Sequence, residues 1–419
     1  MFQIFKLKNQ VKPYGWGSPE WIPGLLGHTN PRREPWAELW MGVHPEGPSR
    51  VSLQGEDLLL SALISRDPLY YLGEAVNRIF GTLPFLYKLL AAAKPLSIQA
   101  HPSLEQAKEG WDRENREGLA LNAPNRNYKD ANHKPEVLCA LSPFQAMCGF
   151  RVPGEIRRRL EALGELFPPQ RPLGMALDKL KSALDKPGGL KDFIRLLFSF
   201  PREVTEELTN GILQRAVLEK AHPEFTDEWR LSAYFAELYP GDPALIAPLY
   251  LNCINLNPGE AIYLPSGILH AYVHGFGVEL MANSDNVLRG GLTSKHVDVD
   301  ELVYILNFSP FYPEILKPPE SPTAFFSYPV PCREFSLSCR EGRGPRADFF
   351  GEGPFIFVVT GGKVTIEQKT PGEKWSLEKG ESAFIPAGIA AKGLSLEGTY
   401  TLYAAGVGTT DLREEAGLW

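Results

Sequence analysis

Short apolar runs separated by turn residues predict β-strands over the first part of the chain. Within residues 2–151, such runs lie at 51–53, 84–90, 96–99 and 137–141. Runs of this length, bounded by Gly, Pro and Asn, are typical of strands. A few stretches with helical spacing, at 57–64 and 104–111, interrupt them. The pattern therefore favours a β-rich first region.

The spacing of apolar residues becomes helical near residue 154 and stays so to about residue 245. Ile156, Leu160 and Leu163 lie three or four positions apart, and residues 193–200 repeat this spacing. Proline-rich stretches separate the helical patterns from one another. Residues 154–245 are therefore predicted to form a helical insertion between two β regions.

Two segments of the second β region repeat one pattern. Residues 256–271 read LNPGEAIYLPSGILHA, and residues 377–392 read LEKGESAFIPAGIAAK. Aligned without gaps, they share Leu, Gly, Glu, Pro, Gly and Ile, and the shared Gly and Pro are residues that fix backbone shape. The economical interpretation is two β modules built on one pattern.

This repeated pattern resembles the second half of a cupin, a small double-sheet jelly roll. In such barrels the turn after Pro-x-Gly directs the following His into the barrel mouth, where a metal binds. The first copy has His270 at this position and the second has Ala391. The resemblance implies a mainly β fold with a helical insertion, made of two cupin-type jelly-roll barrels plus an α-helical domain. The predicted domains are the first barrel at 1–153 and 246–310, the insertion at 154–245, and a C-terminal barrel without metal ligands at 311–419.

The net charge and the cysteines indicate which binding partners and which cellular compartment suit this chain. Lys and Arg number 43 against 50 Asp and Glu, so the formal net charge is −7, which is unfavourable for general nucleic-acid binding. None of the apolar segments approaches the ~18 residues of a membrane span. The five cysteines form an odd, sparse set without CxxC spacing, which favours a reducing compartment. We predict a cytoplasmic protein without nucleic-acid or membrane partners.

The residues that suit metal chemistry fall in three separate blocks. In SIQAH, Gln99 and His101 lie two apart and so share one face of a strand. The block YKDANHKPE ends in Glu136, and the first cupin turn leads to His270. Residue chemistry alone selects His101, Glu136 and His270, because two His and one carboxylate suit catalytic zinc or non-haem iron. It does not select Gln99, since an amide oxygen is an uncommon zinc ligand.

Two long blocks closely resemble the signatures of type I mannose-6-phosphate isomerase. They are YKDANHKPE at 128–136 and HAYVHGFGVELMANSDNVLRGGLTSK at 270–295, and KPLSIQAHP at 94–102 and AELWMGVHPEGPS at 37–49 are similar to further parts of that family. The resemblance covers essentially the whole chain. Gly290 and Ser294 stand where the family usually has Ala and Pro, and neither change removes a reactive group.

The resemblance implies an enzyme that uses zinc to interconvert mannose 6-phosphate and fructose 6-phosphate through a cis-enediolate. It implies one zinc ion per chain, with the ligands Gln99, His101, Glu136 and His270. It assigns Arg289 and Lys134 to catalysis, with Asp285 as a further catalytic residue and Lys88 as a substrate-binding residue.

The reaction needs a base near C2, a positive centre for the developing oxygen charge, and a grip on the phosphate. Arg289 can stabilise the enediolate charge or bind phosphate. Lys134 matches the lysine of the proton-transfer step, but the sequence does not rank it against Asp285 and His133. The more ordinary roles are an exposed loop lysine for Lys134 and a structural ion pair between Arg289 and Asp285.

Other classes of function compete with the isomerase. A cupin dioxygenase usually has a His-x-His pair, whereas this chain has Gln99 and His101. A non-catalytic sugar-binding cupin needs no cations around its ligands, so the charged blocks near the candidate ligands count against it. A bifunctional guanylyltransferase needs a Gly-rich nucleotidyl-transfer block, and none precedes the cupin region of the sequence. The isomerase leads, with a sugar-phosphate substrate and a monomer or weak homodimer as its assembly. His222 is the single His of the insertion, so we expect the insertion to border the pocket without supplying a metal ligand.

Overall fold

The computed structural model describes residues 3–319, 324–368 and 373–408. Two antiparallel sheets of ten and seven strands dominate these ranges, and a small two-stranded sheet joins β4 at Arg50–Leu53 to β5 at Glu56–Leu59. The remaining strands are β1 Phe5–Lys6, β2 Gln10–Lys12, β3 Glu38–Gly42, β6 Phe85–Ala92, β7 Gln99–Ala100, β8 Glu136–Ala140, β9 Phe144–Phe150, β10 Leu251–Leu256, β11 Ala261–Leu264, β12 His270–Ala282, β13 Leu288–Arg289, β14 Phe326–Ser327, β15 Ser336–Phe349, β16 Phe355–Gln368, β17 Lys374–Glu378, β18 Ser382–Ile385 and β19 Leu394–Gly406.

Most of the α-helices are short and lie between the strands or in one continuous run. They are α1 Trp21–Leu26, α2 Leu60–Arg66, α3 Pro68–Leu72, α4 Glu74–Ile79, α5 Leu104–Arg116, α6 Pro153–Gly164, α7 Pro172–Leu184, α8 Gly189–Phe198, α9 Arg202–Leu213, α10 Arg215–Ala221, α11 Thr226–Leu238, α12 Ala247–Tyr250, α13 Val299–Ile305 and α14 Ala387–Ala390. Two 3₁₀ helices span Pro223–Phe225 and Pro243–Ile246. In the described part of the chain, no helix has both the length and the apolar character needed to cross a membrane.

The first sheet is organised around β12, its longest strand. This strand pairs with β6 and β8 over its second half and with β7 and β9 near its start. The register sets Glu279 opposite Lys88 and His270 opposite Gln99. Strand β6 is buried at every position, because both of its faces are covered. The pairing thus gathers polar residues from distant blocks of sequence around one strand.

The run from α6 to α12 forms the helical insertion between β9 and β10. Its helices bury Leu160, Leu177, Phe193, Leu208 and Trp229 in one core that continues into the first barrel. Amphipathic helices of this kind gain most of their stability from such packing. The predicted helical insertion is confirmed.

The second sheet has the strand order β1-β18-β16-β19-β15-β14, and β17 pairs with the second half of β16, beyond the residues that pair with β18. Its strand β1 comes from the start of the chain and pairs Phe5 with Phe384 and Lys6 with Ala383. One strand from residues 1–153 therefore belongs to the C-terminal sheet, a feature that the predicted domain boundaries do not include.

The two copies of the sequence repeat begin alike and then diverge. Gly259 and Gly380 both occupy the left-handed region, with φ of 87° and 88°, in the turns before β11 and β18. In the first copy His270 then opens β12, whereas in the second copy helix α14 follows and Ala391 lies exposed at its end. The predicted pair of cupin-type barrels is confirmed. In the second one, the position aligned with His270 holds Ala391, which lies at the end of α14 and precedes the next strand, β19.

The barrels pack against each other through a shared apolar core. Leu39, Tyr87 and Val278 of the first barrel lie in the same buried cluster as Phe384 and Tyr403 of the second. All five cysteines are free thiols. The first barrel is therefore enclosed by the second barrel on one side and by the helical insertion on another.

Candidate metal centre

Three buried side chains converge at the mouth of the first barrel. His101 and Glu136 lie 3.4 Å apart, measured from Nε2 to Oε1, and His270 Nε2 lies 3.3 Å from Glu136 Oε2. One ligand atom of each residue falls within 4.8 Å of the others. All three residues are about 1 % exposed, so the cluster is shielded from water.

Strand ends bring these residues together. His101 follows β7, while Glu136 and His270 open β8 and β12. Strand β7 pairs with the start of β12, where His270 lies opposite Gln99, and β8 pairs with its far end, where Met281 lies opposite Glu136. The cluster therefore joins side chains from two separate parts of the sheet. Glu136 and His270 thus lie on strands, and His101 lies one residue beyond one.

Backbone carbonyls orient both imidazole rings. His101 Nδ1 lies 2.7 Å from the carbonyl oxygen of Asn286, and His270 Nδ1 lies 2.9 Å from that of Ile268. A carbonyl oxygen only accepts hydrogen bonds, so Nδ1 carries the proton in each ring and Nε2 presents its lone pair to the centre. This arrangement is the one that metal-binding histidines use.

Two atoms of the cluster are buried without a hydrogen-bond partner among the described residues, namely His101 Nε2 and Glu136 Oε2. Leaving such atoms unsatisfied costs about 1–3 kcal/mol each. Burial and the charge of Lys134 together lower the pKa of His101 to about 4, although the charge of Glu136 acts in the opposite direction. Burial raises the pKa of Glu136, but Lys134 and His101 outweigh this and hold it well below its usual range. A neutral imidazole beside an ionised carboxylate fits a divalent cation.

Gln99 reaches the same centre. Its Nε2 lies 3.5 Å from His270 Nε2, and its strand position opposite His270 fixes this approach. Amide nitrogen and oxygen are assigned from their surroundings, and a rotated amide presents Oε1 at the same place. The structure therefore brings all four predicted ligands together.

Lys134 lies inside the site and is not an exposed loop residue. Its Nζ lies 3.0 Å from Glu136 Oε1, and its side chain is 8 % exposed. The neighbouring His133 points elsewhere, with Nε2 2.9 Å from Oε1 of Glu334 in the second barrel. Burial raises the pKa of Glu334, but the hydrogen bond and charge of His133 outweigh it and lower that pKa to about 2.

Asp285 lies at the outer edge of the site. Its Oδ2 is 3.4 Å from Nε2 of His44, and its side chain is 42 % exposed. Burial acts to raise the pKa of Asp285, but His44, Lys134 and Lys88 lower it below its ordinary value. The alternative role for Arg289, a structural ion pair with Asp285, is not among the ion pairs of the described residues.

Arg289 lies on β13, opposite Gln99. No carboxylate pairs with it within the described ranges, and burial lowers the pKa of its guanidinium. Lys129 and Lys295 lie near enough that the charge of Arg289 lowers their pKa values, in addition to the larger effect of burial. Arg289 therefore lies opposite one candidate ligand, Gln99, in surroundings that hold further cations, although Lys129 Nζ donates to the carbonyl oxygen of Leu121.

Lys88 belongs to a buried network behind the cluster. Its Nζ lies 3.1 Å from Glu279 Oε2 and 3.4 Å from Glu38 Oε1. Trp40 Nε1 donates to the other oxygen of Glu38 at 2.6 Å. Burial opposes the charge of Lys88, but Glu279, Glu38 and Glu136 raise its pKa overall.

Sequence reasoning missed several residues that surround the site. Glu38 and Glu279 could have been found, because each is a charge within an otherwise apolar strand. Asp242 of the insertion had no such signal, and its Oδ2 accepts from the backbone N–H of Leu292 at 2.7 Å. The insertion thus borders the Arg289 loop, and the described metal cluster does not include His222.

The fold and the site together define a cupin-type enzyme with a buried candidate metal centre. Residues 4–153 match the family described as phosphomannose isomerase type I, catalytic domain. Mannose-6-phosphate isomerase of Salmonella typhimurium is 38% identical over 385 residues, which cover 91% of this chain and 94% of that protein. Mannose-6-phosphate isomerase 2 of Arabidopsis thaliana is 33% identical, over 97% of this chain and 94% of that protein.

Solved structures agree with these relatives. A zinc-bound mannose 6-phosphate isomerase superimposes with a TM-score of 0.87 and 34% identity, covering 97% of this chain and 100% of that one. A mannose 6-phosphate isomerase bound with zinc and yttrium gives a TM-score of 0.86 and 35% identity over the same shares of the two chains. The chain belongs to the type I phosphomannose isomerase family.

Proposed function

We propose that this chain is a zinc-dependent isomerase that interconverts mannose 6-phosphate and fructose 6-phosphate. The observation that carries the proposal is the buried cluster of His101, Glu136 and His270, with two ligand atoms that lack any other partner among the described residues. Gln99, whose side chain reaches His270, is the fourth proposed ligand. Zinc bound there would polarise the sugar oxygens and orient the sugar.

We assign the proton transfer to Lys134. Its Nζ lies in the site beside Glu136, whereas the alternative bases are engaged elsewhere, His133 with Glu334 and Asp285 with His44. In this role Nζ would take the proton from C2 of the aldose and return it to C1 of the cis-enediolate, while the hydroxyl proton of O2 passes to O1. Asp285, at the outer edge, would assist by holding His44 over the site entrance.

Arg289 would stabilise the negative charge that develops on the enediolate oxygens. It lacks a carboxylate partner among the described residues and is half-buried. Because water screens a half-buried charge less than an exposed one, the attraction between the guanidinium and the enediolate is stronger there. Lys129 and Lys295, on the same side, would bind the phosphate. Lys88 would contribute to substrate binding at the inner side of the site, where the carboxylates of Glu38 and Glu279 hold its ammonium group in place.

The compartment and the assembly complete the proposal. Five free thiols suit a reducing compartment such as the cytoplasm. The formal net charge of −7 suits a sugar-phosphate enzyme that does not bind nucleic acid. We propose a monomer or weak homodimer that contains one complete site per chain, because all the proposed ligands come from one barrel.

Metal analysis and a coupled isomerase assay on the purified protein test the function. We expect one zinc per chain, loss of turnover on chelation and recovery on adding zinc. The variant H101A should lose zinc and turnover, whereas H222A, which replaces a buried His of the insertion, should keep both. Zinc-loaded protein that fails to convert mannose 6-phosphate, or a second tightly bound zinc, would contradict the proposal.

A further inference from the structure

Asn286 is a fully buried amide whose hydrogen bonds all lie next to the metal candidates. Its Oδ1 accepts from the backbone N–H groups of Lys129 at 2.7 Å and Asp130 at 3.2 Å. Its Nδ2 donates to the carbonyl oxygens of Asp130 at 2.8 Å and Asn132 at 2.9 Å. One side chain thus satisfies both donors and acceptors of the loop that leads into β8.

The backbone of the same residue holds the first histidine. The carbonyl oxygen of Asn286 lies 2.7 Å from Nδ1 of His101. The loop clamped by the side chain continues through Lys134 to Glu136, and Lys134 itself contacts Glu136. Asn286 therefore connects one proposed ligand, His101, with the segment that carries a second ligand and the proposed base.

An amide is the side chain that fits this position. Asn offers two N–H donors and an oxygen with two lone pairs, and the loop around it presents two N–H groups and two carbonyl oxygens. Aspartate would have no donor for Asp130 and Asn132 and would place a carboxylate 3.3 Å from Oδ1 of Asp130, where Nδ2 now lies. Alanine would leave all four backbone groups without this hydrogen-bond partner. Buried polar groups in folded proteins are rarely left unpaired, so the loss should destabilise the loop.

We propose that Asn286 is a positioning residue that sets the geometry of the metal centre, by fixing the 128–136 loop and the His101 imidazole to one another. It is not a proposed ligand, and the hydrogen bonds of its side chain among the described residues go to Lys129, Asp130 and Asn132 of the loop. The proposal rests on the proposed function for its catalytic consequence, but its consequence for zinc affinity is independent of the reaction. Partners of metal ligands commonly contribute about 10–100-fold to metal affinity or activity.

The test compares N286A and N286D with a matched control, N252A. Asn252 is also a buried amide in the first barrel, and its Nδ2 donates to the carbonyl oxygens of Cys148 at 3.2 Å, Gly149 at 3.1 Å and Phe311 at 2.8 Å. Both positions lose several hydrogen bonds to backbone, so both variants should lose stability. The zinc dissociation constant, from competition with a chromophoric chelator, and the separate kcat and KM values distinguish them.

We expect N286A to weaken zinc binding and to lower kcat by about 10–100-fold each, with KM changed by less than about threefold. N286D keeps the volume and should lose most of the same affinity, and it carries the test if N286A does not fold. N252A should unfold at lower temperature with zinc affinity and kcat unchanged. Equal zinc affinity in N286A, N286D and wild type, or an equal loss in N252A, would overturn the positioning role. An inactive wild type that still binds zinc would instead contradict the proposed function.

Discussion

Replacing Arg289 with alanine separates a role in the reaction from a role in binding. Arg289 has no carboxylate partner among the described residues, so R289A leaves no buried anion unpaired and should cost little stability. The charge that is removed lies half-buried, where burial already lowers its pKa. Loss of one preorganised charge-stabilising group typically costs about 2.7–4 kcal/mol of transition-state stabilisation, or 10²–10³ in kcat.

We therefore expect R289A to lower kcat by about a hundredfold or more, with zinc content unchanged and KM changed much less. K295A, which removes a neighbouring cation, should instead raise KM while kcat stays within about threefold. R343A provides a surface control, because Arg343 is 85% exposed in the second barrel. Steady-state kinetics and metal analysis of the three variants make the comparison. Near-normal kcat with only a raised KM in R289A would identify Arg289 as a phosphate anchor and refute the catalytic assignment.

Three further predictions follow from individual contacts. E334Q should destabilise the protein at pH 7 by about 1–3 kcal/mol. The upper figure corresponds to a pKa of Glu334 that is lowered from 4.5 to about 2 in the folded protein. The lower figure allows for screening of the interaction by solvent. Because that pKa is depressed in the folded protein, the difference from wild type in urea unfolding should persist above pH 4.5 and shrink as the pH falls towards 2; a pH-independent difference would contradict it. G290A should change the free energy of unfolding by no more than about 1 kcal/mol. The gain from a less flexible unfolded chain is offset by the close approach of the new Cβ to Leu269 Cδ1, at 3.1 Å. A large loss of stability in urea unfolding would show that Leu269 cannot adjust. E136Q should abolish zinc binding in metal analysis while the protein stays folded, and retained zinc would remove Glu136 from the ligand set.

The parts of the molecule that the sequence predicts are those with local signals. The period of the apolar residues predicts the helical insertion, and paired Gly and Pro residues predict the two barrels. His101, Glu136 and His270 stand out because their residue types suit a metal. The family resemblance, rather than residue chemistry, identified Gln99, whose strand register places it opposite His270.

The parts that the sequence does not predict depend on contacts between distant segments. Glu38 and Glu279 meet Lys88 only because β3 and β12 flank β6. The second repeat diverges at helix α14 after a start that both copies share, so aligned residues alone placed Ala391 at a ligand position that the backbone does not form. No periodicity or motif in the sequence predicts the hydrogen bonds that Asn286 makes.

Strand β1 is synthesised long before the strand with which it pairs. Its partner β18 lies some 380 positions later in the chain, which at about 5–20 residues per second corresponds to roughly 20–80 seconds of translation. During that interval β1 has no strand to pair with, and its unpaired edge is a hazard that its short length and the charge of Lys6 reduce. The C-terminal sheet gains its edge strand β1 only after a segment some 380 residues later has been synthesised, so a substitution at Phe5 would also alter the sheet edge at Phe384.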